Sequence, residues 1–95
     1  MIVGRKNIMK ISPLFVIREI ADDSFVIPLG EKADQIKGIL ALNKEGAFLW
    51  KLLETDQTEE SLIHALTENF SVDENTARKD VANFLQDLRN IDCLM

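Results

Sequence analysis

The chain has 95 residues, of which 46% are hydrophobic and 28% charged, and its formal net charge at pH 7 is −5. This length and composition predict a single domain with one modest core, and they exclude a wholly disordered chain, a collagen-like repeat and a disulfide scaffold. Residues 43–95 hold five Lys and Arg against eleven Asp and Glu. Because proteins that bind nucleic acid need clustered cations, we expect no nucleic acid partner.

The cellular location follows from two simple observations. Cys93 is the single cysteine and has no partner for an internal disulfide, which favours a reducing compartment. No apolar run approaches the roughly 18 residues of a membrane span, and no signal peptide is recognisable. We therefore expect a cytoplasmic protein with no membrane partner.

The first half of the chain predicts strands. Residues 14–20 are rich in β-branched and aromatic side chains, which favour strands, and residues 21–24 form a turn cluster of Asp and Ser. Residues 25–27 resume the apolar run, so a β-hairpin is expected. Residues 29–35 are predicted to be an exposed loop, and residues 36–42 a third strand with a possible bulge at its glycine.

The second half predicts three helices that begin at favoured N-cap residues. Asn43 precedes the first, Thr58 the second, and either Ser71 or Asp73 the third. The third helix has an apolar stripe with three- and four-residue spacing, which indicates one buried face. The stripe consists of Ala77, Val81, Phe84, Leu88 and Ile91. The residues expected in the core are Trp50, Leu53, Leu66, Phe70, Val81, Phe84 and Leu88.

These elements predict an α+β fold, with a three-stranded antiparallel sheet followed by three helices in a winged helix-turn-helix-like order. One alternative function is therefore a DNA-binding winged-helix regulator. The helix that would enter the DNA groove, residues 73–92, holds three cations against five anions. That charge does not suit a recognition helix.

No set of residues predicts catalysis, a metal site or a cofactor. His64 is the single histidine and lies far from Cys93 in the sequence, whereas zinc sites need three or four protein ligands. Ser61 lies in a Glu-Ser-Leu triplet that resembles the Asp-Ser-Leu of acyl carrier proteins, so a phosphopantetheine carrier domain is a second alternative. An ordinary serine in the first turn of a helix explains the same triplet.

The order of several motifs resembles the PqqD-like family, which is named for pyrroloquinoline quinone biosynthesis. Residues 42–53 resemble its Leu-Asn-x-x-(Gly/Ala)-Ala-x-x-(Trp/Ile)-x-x-(Leu/Ile) segment, and residues 58–62 resemble the start of its second helix. Residues 70–73 resemble its Tyr-x-Val-Asp junction, and residues 80–88 its Asp-Val-x-x-Phe-Leu-x-x-Leu pattern. The resemblance covers residues 14–95, which we predict to be one domain that follows an N-terminal tail or exchanged strand at residues 1–13.

The resemblance implies a function without catalysis. Members of the family are recognition elements for ribosomally made precursor peptides and present them to a modifying enzyme, often a radical S-adenosylmethionine protein. The leader segment of the precursor adds as a strand to the third strand and packs against the third helix. A leader peptide and such an enzyme are therefore the expected partners.

The peptide-binding residues expected from this arrangement lie on two elements. On the third strand they are Lys37, Gly38, Ile39, Leu40 and Ala41, with Leu40 and Leu42 facing the core. On the third helix they lie one position after the stripe, about 100° round the helix, at Arg78, Ala82, Leu85 and Arg89. The two arginines are expected to pair with an acidic leader. The alternative for Leu85 is that it widens the core face.

An assembly is also expected. Hairpin edges and the N-terminal tail favour exchange of strands between copies. We expect a mixture of monomer and homodimer in which residues 1–20 are exchanged.

Overall fold

The computed structural model describes residues 8–36 and 39–95. Within these ranges the strands form one antiparallel sheet in the order β1-β2-β3, and helices precede and follow β3. The α+β fold and the antiparallel sheet are confirmed, as is the winged-helix-like order. The elements are β1 (Phe15–Ile20), β2 (Asp23–Pro28), α1 (Glu31–Gln35), β3 (Leu40–Leu42), α2 (Lys44–Leu52), α3 (Glu59–Asn69) and α4 (Glu74–Asn90).

The predicted hairpin is present, but its turn is shorter than expected. β1 and β2 pair in register from Phe15 opposite Pro28 to Ile20 opposite Asp23. Two residues therefore make the turn, and Ala21 has a positive φ of 56°. A two-residue loop matches the twist of the flanking strands, so the rest of the predicted turn at residues 21–24 joins the ladder.

The segment between the hairpin and α2 differs most from the prediction. Residues 29–35 contain a short helix, α1, that buries none of its residues. In the described part of the predicted strand at 36–42, β3 covers three residues. Ile36 belongs to the end of α1, because its N–H donates to the Lys32 carbonyl over 3.0 Å and its extended backbone ends the helix. Residues 37 and 38 lie outside the described residues, and so does the bulge expected there.

The helices begin where the sequence indicates. Three N-cap side chains accept a hydrogen bond from the backbone N–H three residues on, and they belong to Asn43, Thr58 and Asp73. At the third helix Asp73 rather than Ser71 is the cap. The pKa of Asp73 is lowered mainly by the hydrogen bond from the Thr76 backbone N–H, and further by a hydrogen bond from the Thr76 side chain.

The core lies between the sheet and the three longer helices. Six of the seven predicted core side chains are buried, and Leu85 is buried with them. Phe70 is the exception because it is only partly buried; its ring packs edge-on against Phe48, with centroids 5.2 Å apart. Four of the five stripe residues of α4 are buried, as their spacing predicts, whereas Ile91 follows the end of the helix at Asn90 and is only partly buried.

The segment before β1 is also part of this core. Met9 and Ile11 are buried, and the Ile11 N–H donates to the Leu53 carbonyl over 2.8 Å. The Ser12 N–H donates to the Cys93 carbonyl over 2.7 Å, which ties the segment to the end of the chain. Residues 1–7 lie outside the described residues, and the exchange of residues 1–20 between copies stays a prediction. Among the helices that the structure describes, none has the length and apolar character needed to cross a bilayer.

Candidate functional site

β3 forms one edge of the sheet. It pairs with β2 from Ser24 opposite Leu42 to Val26 opposite Leu40, and no described strand pairs with its other side. In an antiparallel edge strand alternate residues direct their N–H and C=O groups away from the partner. Within the described part of the chain, β3 therefore presents backbone groups without a strand partner, and an additional strand binds to such a free edge.

A groove of about 360 Å³ runs beside this edge, between β3, the start of α2 and α4. Leu49 and Phe84 are buried at its base, whereas Asp80, Asn83 and Asp87 are exposed along its helical side. We call this space the carboxylate compartment. Its full lining is Leu40, Ala41, Leu42, Asn43, Glu45, Gly46, Leu49, Asp80, Asn83, Phe84 and Asp87.

A second space of about 230 Å³ lies next to the first, and Leu40 lines both. We call it the apolar compartment because every one of its lining residues is apolar. They are Phe15, Val26, Pro28, Ile36, Ile39, Leu40 and Ile91. The two compartments together form the β3 groove, which follows β3 and the C-terminal half of α4.

Gly46 brings α2 close to the end of β3. A Cβ atom at this position would lie 3.2 Å from the Asn43 Oδ1 and 3.4 Å from the Leu42 Cβ. The Gly46 N–H donates to the same Asn43 Oδ1 over 2.8 Å. A side chain here would therefore disturb both the cap of α2 and the wall of the groove.

The strand residues expected to bind peptide lie at the groove where they are described. Leu40 and Ala41 line the carboxylate compartment, and Ile39, 65% exposed, lines the apolar one. Leu40 and Leu42 pack against the core and Ala41 is exposed, as the alternation of strand side chains predicts. Lys37 and Gly38 lie outside the described residues.

The helix residues expected at the same site lie elsewhere. Arg78 donates to carboxylate oxygens of Glu60 and Glu74, each 2.7 Å away. These interactions, with Glu60 first, raise the pKa of Arg78. Arg89 has its Nη2 3.7 Å from the Met9 Sδ.

The other two helix residues do not reach the groove either. Leu85 is fully buried, in keeping with the alternative that it widens the core face, and Ala82 is exposed away from the groove lining. The helix presents its opposite flank to β3. The groove residues on that flank, Asp80, Asn83 and Asp87, each lie one position before a stripe residue. One sequence signal marks that flank: Asp87 lies in the last turn of α4, where the helix dipole disfavours a negative charge.

A second groove lies at the other edge of the sheet, beside β1. It has a volume of about 620 Å³, and Trp50, Glu54 and Met95 line it together with residues 10–13 and 15–18. Its charged side chains are of both signs, since Lys10 and Arg18 accompany Glu54. We call it the β1 groove.

The residues considered for chemistry serve the fold. Ser61 donates to the Gln57 Oε1 over 2.8 Å and accepts from the Thr58 N–H over 2.9 Å, so its hydroxyl belongs to the helix cap. Burial, and after it the charge of Asp92, raises the pKa of the Cys93 thiol to about 12. Such a thiol is a poor nucleophile at neutral pH. Across residues 8–36 and 39–95, His, Cys, Asp and Glu form no group of three that suits a metal ion.

Comparison with known families identifies the chain. The sequence model of coenzyme PQQ synthesis protein D (PqqD) matches residues 31–94, which is about two thirds of the chain. The chain belongs to the PqqD family. The match includes the whole lining of the carboxylate compartment, whereas β1 and the segment before it lie outside the match.

Two solved structures are similar to this PqqD-family chain over almost its whole length. TbiB1, in complex with the TbiA(β) leader peptide, is 29% identical with a TM-score of 0.71, over 90% of this chain and 93% of that one. A lasso peptide synthetase B1, complexed with the leader peptide, is 14% identical with a TM-score of 0.72. That match covers 92% of this chain and 96% of the synthetase chain, and it shows the shared fold. None of the curated proteins compared with the chain matches it.

Proposed function

We propose that this chain is a non-catalytic adaptor that binds the leader segment of a ribosomally made precursor peptide and presents it to a modifying enzyme. The observation that carries the proposal is the edge of β3, which no described strand covers, beside a groove. The lining of the carboxylate compartment lies wholly within the part of the chain that matches the family. TbiB1 and the lasso peptide synthetase B1, which share the fold, were both solved with leader peptides.

Strand addition explains how this edge binds a peptide. The backbone of an extended segment forms hydrogen bonds with the unpaired groups of β3, and these bonds supply sequence-independent affinity. Alternate side chains of the segment point to the same face. One set therefore enters the groove between β3 and α4, where Leu40, Leu42 and Phe84 offer apolar surface. Selectivity for one leader then depends on the residues that line the two compartments.

The β3 edge is a better candidate than the β1 edge. The strand at the β1 groove and the segment that lines it, residues 10–18, lie before the family match begins at residue 31. The β3 groove also has a helix along its open side, which gives peptide side chains a second wall. A peptide at β1 would contact only a small part of the family segment.

Neither alternative function is favoured by the arrangement of the residues. A DNA-binding winged helix needs cations on its exposed helix, yet the groove side of α4 carries Asp80 and Asp87, which phosphates repel. A carrier domain needs a serine hydroxyl that is free for attachment, whereas the hydroxyl of Ser61 is engaged in the cap of α3.

The test blocks the groove from its helical side. Asn83→Trp places an indole over the carboxylate compartment from an exposed helix position, and Ala82→Trp makes the same change on the neighbouring exposed position, away from the groove. Peptides are selected on the wild-type chain from a displayed library of random segments of ~15 residues, which exceeds the length of an edge strand. The TbiA(β) leader peptide serves as a second probe.

We expect Asn83→Trp to weaken binding of the selected peptides by about tenfold or more, because a filled groove excludes their side chains. Ala82→Trp should leave the affinity unchanged. Equal binding to both variants, combined with loss of binding when Arg18→Trp fills the β1 groove, would place the peptide at the other edge and contradict the proposal.

The enzyme and the assembly are further parts of this proposal. The family resemblance favours a radical S-adenosylmethionine protein as the enzyme, and co-purification with such proteins encoded in the same genome tests that part. Exchange of residues 1–20 between two copies would move the bonds of Met9 and Ile11 to the partner copy. Light scattering over a wide concentration range tests the exchange, and a monomer at every concentration would contradict it.

A further inference from the structure

We propose that the peptide segment bound in the β3 groove is basic, with Lys or Arg side chains opposite Asp80, Asp87 and Glu45. This inference rests on the proposed function and specifies the chemistry of its ligand. It reverses the expectation of an acidic leader, because Arg78 and Arg89, the residues expected to attract one, do not line the groove.

The charge of the carboxylate compartment is of one sign. Its described lining contains three carboxylates and no Lys, Arg or His. None of the three forms an ion pair with another described residue. Other carboxylates of the chain do find partners, since Arg78 binds Glu60 and Glu74, and Lys32 lies 2.6 Å from Asp92. Among the described residues, the groove therefore holds three carboxylates without an ion pair, all beside the edge of β3.

The position of Asp87 is not explained by the stability of its helix. It lies in the last turn of α4, three residues before the helix ends at Asn90. A carboxylate there opposes the helix dipole, whereas a basic residue would be favourable. A cation brought by a ligand would remove this unfavourable interaction on binding.

The order of the compartments gives the peptide a direction. The carboxylate compartment adjoins the end of β3 at Leu42, and the apolar compartment adjoins its beginning at Leu40 and the preceding Ile39. The pairings observed in the sheet are antiparallel, and a peptide that continues this pattern runs opposite to β3. Its basic residue therefore precedes the apolar residue that fills the second compartment. The separation is about two or four residues at ~3.3 Å each, an even number because alternate side chains of a strand share a face.

The experiment selects peptides from the same displayed library on two forms of the full chain at about 50 mM salt, where surface charges are weakly screened. One form is wild type and the other is Asp80→Asn/Asp87→Asn. The matched control is Glu59→Gln/Glu68→Gln, which changes the net charge equally at exposed positions of α3, away from the groove. Circular dichroism verifies that all three forms are folded.

We expect peptides selected on the wild type to be enriched in Lys and Arg, placed N-terminal to an apolar residue. The groove double variant should bind them about three- to tenfold more weakly, as expected for the loss of two partly exposed ion pairs. The α3 control should bind them like the wild type, and the difference should shrink at about 500 mM salt, where screening is strong. Synthetic peptides with the two residue types in reversed order should bind less well.

Two outcomes would overturn the inference, and they separate it from the proposed function. Selected peptides that are neutral or acidic, or that bind the groove double variant as well as the wild type, contradict the basic segment. If Asn83→Trp still abolishes their binding, the β3 groove remains the peptide site. If Asn83→Trp has no effect, the proposed function fails and this inference fails with it.

Discussion

The two flanks of α4 are close in sequence and opposite in chemistry. The anchored flank, with Arg78, Ala82 and Arg89, faces away from the β3 groove; Arg78 is paired with two carboxylates and Arg89 lies against Met9. The groove flank, with Asp80, Asn83 and Asp87, faces β3 and has no ion pair among the described residues. Charges that are already paired support the fold, whereas unpaired charges beside an open edge are available to a ligand.

Leu85, which lies one position after the stripe and is buried beside it, gives the largest expected effect. Leu85 is fully buried, so Leu85→Asp places an unpaired carboxylate in the core at a cost of several kcal/mol. Domains of this size have total stabilities of only about 5–15 kcal/mol, and we expect the variant to be unfolded by circular dichroism. Ala82→Asp, on the exposed anchored flank, should stay folded. A folded Leu85→Asp that loses only peptide binding would assign Leu85 to a binding surface instead.

Phe84 tests where the stripe meets the groove flank, since its side chain is 8% exposed and lines the carboxylate compartment. Phe84→Ala should lower the free energy of unfolding by about 3–5 kcal/mol because it leaves a cavity. Urea denaturation measures the change, and Phe84→Leu, which fills more of the space, should cost less. A nearly unchanged midpoint for Phe84→Ala would show that the faces of α4 are assigned wrongly.

The burial of Cys93, near the end of the chain, predicts how the free energy of unfolding depends on pH. Its thiol has a pKa of about 12 in the fold against an ordinary value of 9.0, so above pH 9 the unfolded chain loses a proton that the folded chain keeps. The stability due to this difference is fully present below pH 9 and is lost as the pH rises toward 12. The loss is at most about 1.4 kcal/mol per pH unit.

The measurement compares unfolding free energies of the wild type and Cys93→Ala between pH 8 and about pH 10.5, where the ordinary thiol ionises. The wild type should lose more stability over this interval than the variant, even though the variant starts lower because of its cavity. Parallel pH profiles would mean that the thiol is not shielded from solvent in the native state.

The smallest expected effects are changes in melting temperature when a charge is removed from either flank of α4. Arg78→Gln should lower the melting temperature slightly at low salt because it removes the pairs with Glu60 and Glu74. Asp87→Asn should leave it unchanged or raise it, since removing a negative charge from the last helical turn is worth a few tenths of a kcal/mol. Lys79→Gln, at an exposed position between the flanks, is the control. A destabilising Asp87→Asn would show that this carboxylate serves the fold.

Local chemistry made much of the fold predictable. The N-caps at Asn43 and Thr58 are short-range hydrogen bonds between neighbours in the sequence, and the structure has both. The stripe of α4 follows from helical spacing alone. The turn at residues 21–24 and the strand at 36–42 were predicted less well, because their ends depend on pairing with distant residues. Propensity does not show that Ile36 ends α1 instead of beginning β3.

The sequence by itself determined the family, the order of the strands and longer helices, and the buried face of α4, because these depend on residue spacing and on caps within a few residues. Only the tertiary structure decided which flank of α4 faces β3. Positions one before and one after the stripe lie at equal angles on either side of it, so helical periodicity does not distinguish Asp80 from Arg78. The packing of α4 against α3, β3 and the segment at Met9 makes the choice, and it places the carboxylates at the free strand edge.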